Sequence, residues 1–302
     1  IHVSAFEFDP HNITLESLFM ILKEVKRRNI KYVYFTDQKS YWWLYAVLRI
    51  AGVKRIIVHS RVSVSSPFPA EPEKGFLKLV KSMLGGVNFI VPNKIYAVSH
   101  FVKQRLVYKN CLPEDRVVVI LNGIDINKYR CEPHDHDRGK IVVFAGARAT
   151  KYKGIAILID AVRLLVQEYK LTDFLVRYAG DGPDIKNFKG KIEENRLENY
   201  YIFVGELKDT SEYLCDSDIV VVPSVWGDAC PSAVSEALAA GKPLITTYAG
   251  GIPEIIGDEG NAILIQPADE KQLAEALAKL IKNKELRIAS IHLCTAISQT
   301  EH

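Results

Sequence analysis

The stretch from Asp218 to Thr247 reads DIVVVPSVWGDACPSAVSEALAAGKPLITT, and it decides the fold. Asp218–Val222 is a short β-branched run, the pattern of a strand buried on both faces. Trp226, Gly227 and Asp228 follow as loop. Pro231 suits the first helical position, and Gly241 with Pro243 marks a stop, so a helix is predicted over 231–240. Pro243–Thr247 reads as the next strand. Strands alternating with helices imply a parallel sheet covered on both faces.

The same stretch holds two carboxylates at different depths. Asp228 precedes the helix. Glu236 lies inside it, among the small apolar residues Ala233, Val234, Ala237, Leu238 and Ala240. The helix N-terminus should sit at the carboxyl edge of the sheet, with free amides on Ser232, Ala233 and Val234 to attract an anion. Glu236 is far enough along to reach the other end of the same ligand. A carboxylate accepts two hydrogen bonds well, so paired ribose hydroxyls suit it.

The strand–helix rhythm continues in both directions. Strands are predicted at Ile141–Ala145, Phe174–Ala179, Tyr201–Val204 and Ala262–Ile265. Between the first two, Ile155, Leu158, Ile159, Val162, Leu165 and Val166 follow the helical period. The earlier half repeats the pattern, with strands at Ile1–Phe6, Lys31–Phe35, Arg55–His59, Lys94–Ser99 and Val117–Leu121. Helices are predicted at about 14–29, 40–51, 75–84 and 99–109. Asn122–Lys140, with the polar run CEPHDHDRGK, reads as an interdomain linker. Two doubly wound domains result, at 1–130 and 131–302, with a ligand cleft expected between their facing sheets.

The chain has 302 residues, 48% hydrophobic and 25% charged, an ordinary globular composition. No apolar run reaches the roughly 20 residues needed to span a bilayer. Five cysteines, at 111, 131, 215, 230 and 294, are scattered and form no C-x-x-C. They are expected to be reduced thiols of a cytoplasmic protein rather than a disulfide framework or a zinc site. Residues 1–130 carry 20 Lys and Arg against 10 Asp and Glu, whereas 131–302 carry 19 against 26. A basic half and an acidic half imply different partners.

Four local features bear on chemistry. In FAGARATKYKGI, 144–155, a strand ends in a loop bearing Arg148 and Lys153 before a helix starts. A phosphate or diphosphate is the natural guest. Two D-x-D pairs, Asp135–Asp137 and Asp216–Asp218, suggest a metal only on paper. The first lies in the linker and the second before a strand, away from the carboxyl edge. In KGFLKLVKSMLGG, 74–86, Phe76, Leu79, Val80, Met83 and Leu84 share a face, with Lys74, Lys78 and Lys81 mainly on another. That helix either packs into a core with a solvated basic face or lies on an anionic membrane. In SYWWLYAVLRI, some of Tyr41, Trp42, Trp43 and Tyr45 must be core, and the others could line an acceptor groove.

Together the runs VVFAGARATKYKGI, LVRYAGDGP, IFVGEL and DIVVVPSVWGDACPSAVSEALAAGKPLITTYAGGIPEII resemble the donor domain of retaining GT-B glycosyltransferases, specifically glycosyltransferase family 4. IYAVSHFVKQRL and RVVVILNGIDINKY resemble the end of that family's acceptor domain. The resemblance implies two Rossmann-like domains facing across a cleft, with an N-terminal domain shortened before Ile1. It implies a hexosyl-type transferase moving sugar from a nucleotide-diphosphate sugar to a glycan, lipid-linked or small-molecule acceptor, with anomeric configuration retained. Arg148 and Lys153 would then bind the diphosphate, Glu236 the ribose, and the backbone near Glu206 and Leu207 the base. His59 and Asp228 would approach the sugar, Asp228 standing where the family usually has glutamate. Pro231 stands where glycine is usual. No cofactor or essential metal is expected, nor any nucleic acid. The partners would be the donor, the acceptor and, peripherally, an anionic membrane at its inner face. Two rival readings remain: a non-catalytic nucleotide-sugar-binding protein, or another GT-B enzyme such as a nucleotide-sugar epimerase.

Overall fold

The structure, a computed structural model, describes residues 14–131, 139–257 and 262–288. The strand expected at Ile1–Phe6, the Asp135–Asp137 pair of the linker and Cys294 lie outside these residues. The chain divides into two compact units. One comprises Ile1–Arg61, Ala70–Val98 and Val102–Ile120; the other comprises Val62–Pro69, Ser99–Phe101 and Leu121–His302.

The first unit runs α1 (Leu15–Arg27), β1 (Tyr32–Thr36), α2 (Trp43–Ile50), β2 (Arg55–Ser60), α3 (Gly75–Gly86), β3 (Lys94–Ala97), α4 (His100–Tyr108) and β4 (Val117–Val119), α4 starting in the short Ser99–Phe101 crossing. The Thr14 hydroxyl accepts from the Ser17 amide at 3.1 Å and caps α1. All neighbouring strands are parallel, in the order β1-β2-β3-β4. Among the described residues this order follows the chain, without the reversal that defines a doubly wound sheet. Leu44, Tyr45, Leu48, Ile56, Val58 and Ile95 form the buried interior. Of the aromatic cluster, Trp42 and Tyr45 are core, while Trp43 is exposed. Helix α3 does not offer its apolar face to that core: Phe76, Leu79 and Met83 are all exposed.

The second unit carries β5 (Ile141–Gly146), α5 (Ile155–Gln167), β6 (Phe174–Ala179), α6 (Ile185–Glu194), β7 (Tyr201–Gly205), α7 (Ser211–Cys215) and β8 (Ile219–Val222). α8 (Ser232–Ala239), β9 (Leu244–Thr247), α9 (Ile252–Ile256), β10 (Ile263–Ile265) and α10 (Glu270–Lys282) complete it. Its six strands are parallel, in the order β10-β9-β8-β5-β6-β7, so the winding reverses between β5 and β8. The apolar period read from the sequence is the buried face of α5: Ile155, Leu158, Ile159, Val162 and Leu165 all join the core. Each such side chain contributes roughly 1.5–3 kcal/mol on burial. The Asp269 carboxylate accepts from the Gln272 amide at 2.8 Å and starts α10, whose Leu273, Leu277 and Leu280 close the same core.

Two expectations are corrected here. Of the interdomain linker read at Asn122–Lys140, the stretch Asn122–Cys131 belongs to the second unit. A single helical turn at Ile126–Tyr129 buries Tyr129 in a cluster with Leu214, Val220 and Val234. That packing brings the end of α7 beside Cys131. Cys131 and Cys215 are therefore disulfide-bonded, with Cα atoms 5.2 Å apart, rather than both reduced. Their separation of 84 residues carries no spacing signal. Cys111 and Cys230 are free.

Candidate functional site

In open α/β sheets, ligands bind at the carboxyl ends of the strands where the winding reverses. A cavity of about 520 Å³ lies at the carboxyl ends of β5, β6 and β7, on one side of that reversal, within the second unit. Gly146, Ala147 and Arg148 line it from the end of β5, Ala179–Gly182 from β6, Glu206 and Leu207 from β7, with Thr210 beyond. Its floor needs glycine. Gly180 has φ +151°, and a Cβ there would stand 1.9 Å from the Ala147 carbonyl oxygen. Arg148 is exposed at this cavity, and its guanidinium has no hydrogen-bond or ion-pair partner among the described residues.

Lys153 is placed differently. The following residue, Gly154, has φ +74°, and a Cβ there would come within 1.7 Å of the Pro223 carbonyl oxygen. That contact packs the start of α5 against the loop after β8. Tyr152 stacks on Trp226 at 4.9 Å, and the Val225 amide donates to the Tyr152 carbonyl at 3.0 Å. Lys153 Nζ then donates to Asp228 Oδ2 at 2.6 Å. Asp228 is 8% exposed. Its Oδ2 also accepts from Ser224 Oγ at 3.0 Å, and its Oδ1 accepts from Ser63 Oγ at 3.0 Å. The Asp228 carbonyl accepts from the Gly251 amide at 2.8 Å. Burying a carboxylate is costly unless it is paired and hydrogen-bonded, and Asp228 is both.

Glu236 is the more open acid. It is half-buried in the second turn of α8, and its Oε2 accepts from the Thr210 hydroxyl at 2.9 Å. Since Thr210 lines the cavity, Glu236 stands at its border. Lys128, 3.3 Å from Asp209, lies on the same side and is held charged by that hydrogen bond. At the front of α8, Pro231 is the N-cap, not the first helical residue. Its carbonyl accepts from the Val234 amide at 3.1 Å, so Val234 is not a free donor. The amides of Ser232 and Ala233 have no acceptor among the described residues. Next to Asp228, burial pushes the Cys230 thiol up, which keeps it protonated.

The second unit thus gathers Arg148, Leu207 and Glu236 at the cavity and Lys153 with Asp228 at the adjoining loop. His59 belongs to the first unit, near the carboxyl end of β2. Its Nδ1 lies 2.7 Å from the Tyr34 hydroxyl, while its buried Nε2 has no partner among the described residues. Asp216 and Asp218 have structural partners: Asp216 pairs with Arg177, and Asp218 accepts from the Val142 amide at 2.8 Å. Sequence reasoning missed Ser63, Ser224 and Thr210. Ser63 sits on the short Val62–Pro69 crossing, where Val64 and Gly227 exchange two backbone hydrogen bonds of 2.9 Å.

Two Rossmann-like units of parallel sheet and helix, the second wound about a glycine-floored cavity, place this fold in the GT-B class. The model of the family "Glycosyl transferases group 1" matches residues 128–291, more than half of the chain, and the chain belongs to that family. It is 26% identical over 211 residues to the amylovoran biosynthesis glycosyltransferase AmsK of Erwinia amylovora, covering 68% of this chain and 51% of AmsK. An uncharacterized glycosyltransferase of Methanocaldococcus jannaschii is 30% identical over 196 residues, covering 65% of this chain and 51% of that protein. The chain therefore spans about half the length of these relatives. In fold it matches Anabaena Alr3699/HepE, solved in complex with UDP and glucose, at a TM-score of 0.74 and 20% identity, covering 94% of this chain and 76% of that one. No helix among the described residues is long and apolar enough to cross a membrane.

Proposed function

We propose that this protein is a retaining glycosyltransferase of family 4 type that moves a hexosyl group from a nucleotide-diphosphate sugar to a glycan or lipid-linked acceptor. The observation that carries the reading is the cavity at the ends of β5, β6 and β7, with Arg148 on one side and Glu236 at its border. The base would lie against Glu206 and Leu207, the ribose hydroxyls on Glu236, and the diphosphate on Arg148. Lys153 retains two ammonium hydrogens beyond the one given to Asp228, and these would reach the same phosphates. With the amides of Ser232 and Ala233 they would stabilise charge on the leaving diphosphate, which is where fixed donors lower a barrier most. The reading calls for no metal ion, so transfer should survive chelation by EDTA. His59 would stabilise charge near the reacting carbon. Asp228 would hold sugar hydroxyls from a carboxylate already fixed by Lys153, Ser224 and Ser63. A cytoplasmic site fits the supply of nucleotide sugars.

The test is product analysis with a panel of nucleotide sugars. The α or β configuration of the new bond should match that of the donor. Tight donor binding with neither transfer nor hydrolysis would instead mark a sugar-nucleotide-binding protein, and isomerised donor without acceptor would mark an epimerase.

A further inference from the structure

Thr210 stands at the start of α7, where a threonine ordinarily turns its hydroxyl back to accept from the first helical amides. Here it does not: as the N-cap of α7, Thr210 makes no side-chain bond to the helix. The preceding Asp209 closes an Asx-type turn instead, its Oδ1 accepting from the Ser211 amide at 3.0 Å. The Thr210 hydroxyl is turned across to α8, where it donates to Glu236 Oε2 at 2.9 Å. The mount beneath that hydroxyl is fixed at both ends of α7. At the start, Asp209 lies 3.3 Å from Lys128, on the helical turn Ile126–Tyr129. At the end, Cys215 is bonded to Cys131, just past the same turn. Between them Leu214 packs in the buried cluster that holds Tyr129. A β-branched side chain is also stiff at its first torsion. The Thr210 hydroxyl is therefore held in one place, on the lining of the cavity.

That fixed donor decides how Glu236 meets a ligand. A free glutamate samples many rotamers, and ordering it on binding costs conformational freedom. A carboxylate already oriented by Thr210 loses less when the ligand arrives, which is how preorganisation raises affinity. The bond also leaves acceptor capacity in a useful arrangement. Oε1 has no partner among the described residues, and Oε2 keeps one of its two acceptor positions. One open acceptor on each oxygen suits two adjacent hydroxyls better than one.

We propose that Thr210 is a positioning residue that sets the Glu236 carboxylate for a vicinal diol, and so determines the preference for ribose over 2′-deoxyribose in the bound nucleotide. The inference rests on the reading that Glu236 holds the ribose, and the test separates the two. UDP, GDP and ADP are titrated by calorimetry, and the tightest binder is compared with its 2′-deoxy analogue. The parent should prefer the ribose form by about tenfold or more, because the analogue forfeits a hydrogen bond to a charged group. Thr210→Val keeps the branched shape and removes the donor. It should cut the preference to about threefold or less, mainly by weakening the ribose form. Thr210→Ser returns the hydroxyl and should restore most of the preference. Glu236→Gln should flatten it as well. If Glu236→Gln lowers the preference and Thr210→Val does not, the ribose reading stands and the positioning role falls. A Thr210→Val protein that melts lower yet keeps the parent preference would likewise make Thr210 a structural residue only, and a Thr210→Ser protein no better than Thr210→Val would overturn the role of the hydroxyl. If Glu236→Gln leaves the preference unchanged, or none of the three nucleotides binds, the ribose reading and the proposal fall together.

Discussion

The loop before α8 and the second turn of α8 each carry one acid, eight residues apart, and they are built to opposite ends. Asp228 is almost sealed off, with Lys153, Ser224 and Ser63 all donating to its carboxylate. Glu236 has one donor, Thr210, and stands half open at the cavity border. A carboxylate has about four acceptor positions. Asp228 has used three of them on its own chain, whereas Glu236 has kept most of its capacity. The difference separates an acid that organises a site from one that is free to hold a ligand.

Mutations that remove each acid should give the widest contrast. Asp228→Ala leaves Lys153 charged, mostly buried and unpaired, and breaking such a pair costs about 3–5 kcal/mol. The melting temperature should drop by several degrees, since about 1 kcal/mol corresponds to roughly 2–4 °C in a domain of this size. Glu236→Ala should stay within about 0.5 kcal/mol of the parent. Equal melting shifts for the two would erase the contrast.

Ligand binding should reverse the ranking. Under the proposed function, Glu236→Gln and Arg148→Ala each remove a charge-assisted hydrogen bond worth about 1.5–3 kcal/mol. Titration calorimetry should show nucleoside diphosphate weakened at least tenfold by either. The bare nucleoside should be weakened only by Glu236→Gln. An Arg148→Ala variant that loses nucleoside as strongly as nucleoside diphosphate would remove the cation from the phosphate site.

Asp228→Glu sharpens the comparison further. One added methylene in a packed pocket typically costs about 1–3 kcal/mol. A site built around the shorter acid should lose transfer rate and some stability while keeping its nucleoside diphosphate affinity. If transfer instead holds or improves, the pocket tolerates the glutamate usual at this position, and Asp228 is merely a shorter equivalent. The smallest effect should come from Ser63→Ala, which removes one neutral donor to Asp228. A loss of about 1.5 kcal/mol in urea unfolding, the low end for a hydrogen bond to a charged group, with nucleotide affinity unchanged, is expected.

How far this could be read from sequence depends on the range of the interaction. β6 matches its predicted span, Phe174–Ala179, and α5 buries the face its period implied. A parallel strand buried on both sides is a local apolar run, and a helix is a local period, so both are written within a few residues. Arg148 and Leu207 reach the cavity because they follow strands whose ends define it. The donors to the two acids were not legible. Ser63 lies 165 residues from Asp228, and Thr210 lies 26 from Glu236; neither spacing has a periodic or turn signature. The crossing of Val62–Pro69 into the second unit is likewise a product of tertiary packing. In α3, periodicity found the apolar stripe but could not say which side the unit would grip. Gly85 settled that, because only a residue without Cβ fits against the Cys111 carbonyl.

The bond between Cys131 and Cys215 closes part of the chain into a ring that contains β5, β6, β7 and α5 through α7. A protease acting inside that ring, at exposed Lys170 or Arg196 for example, opens the loop without releasing a piece. The two fragments travel as one species through a denaturing gel and part only when a reductant is added. A cut at exposed Lys284, outside the ring, sheds its fragment at once. Comparing reduced and unreduced lanes of a limited digest therefore shows on which side of the ring each cut fell.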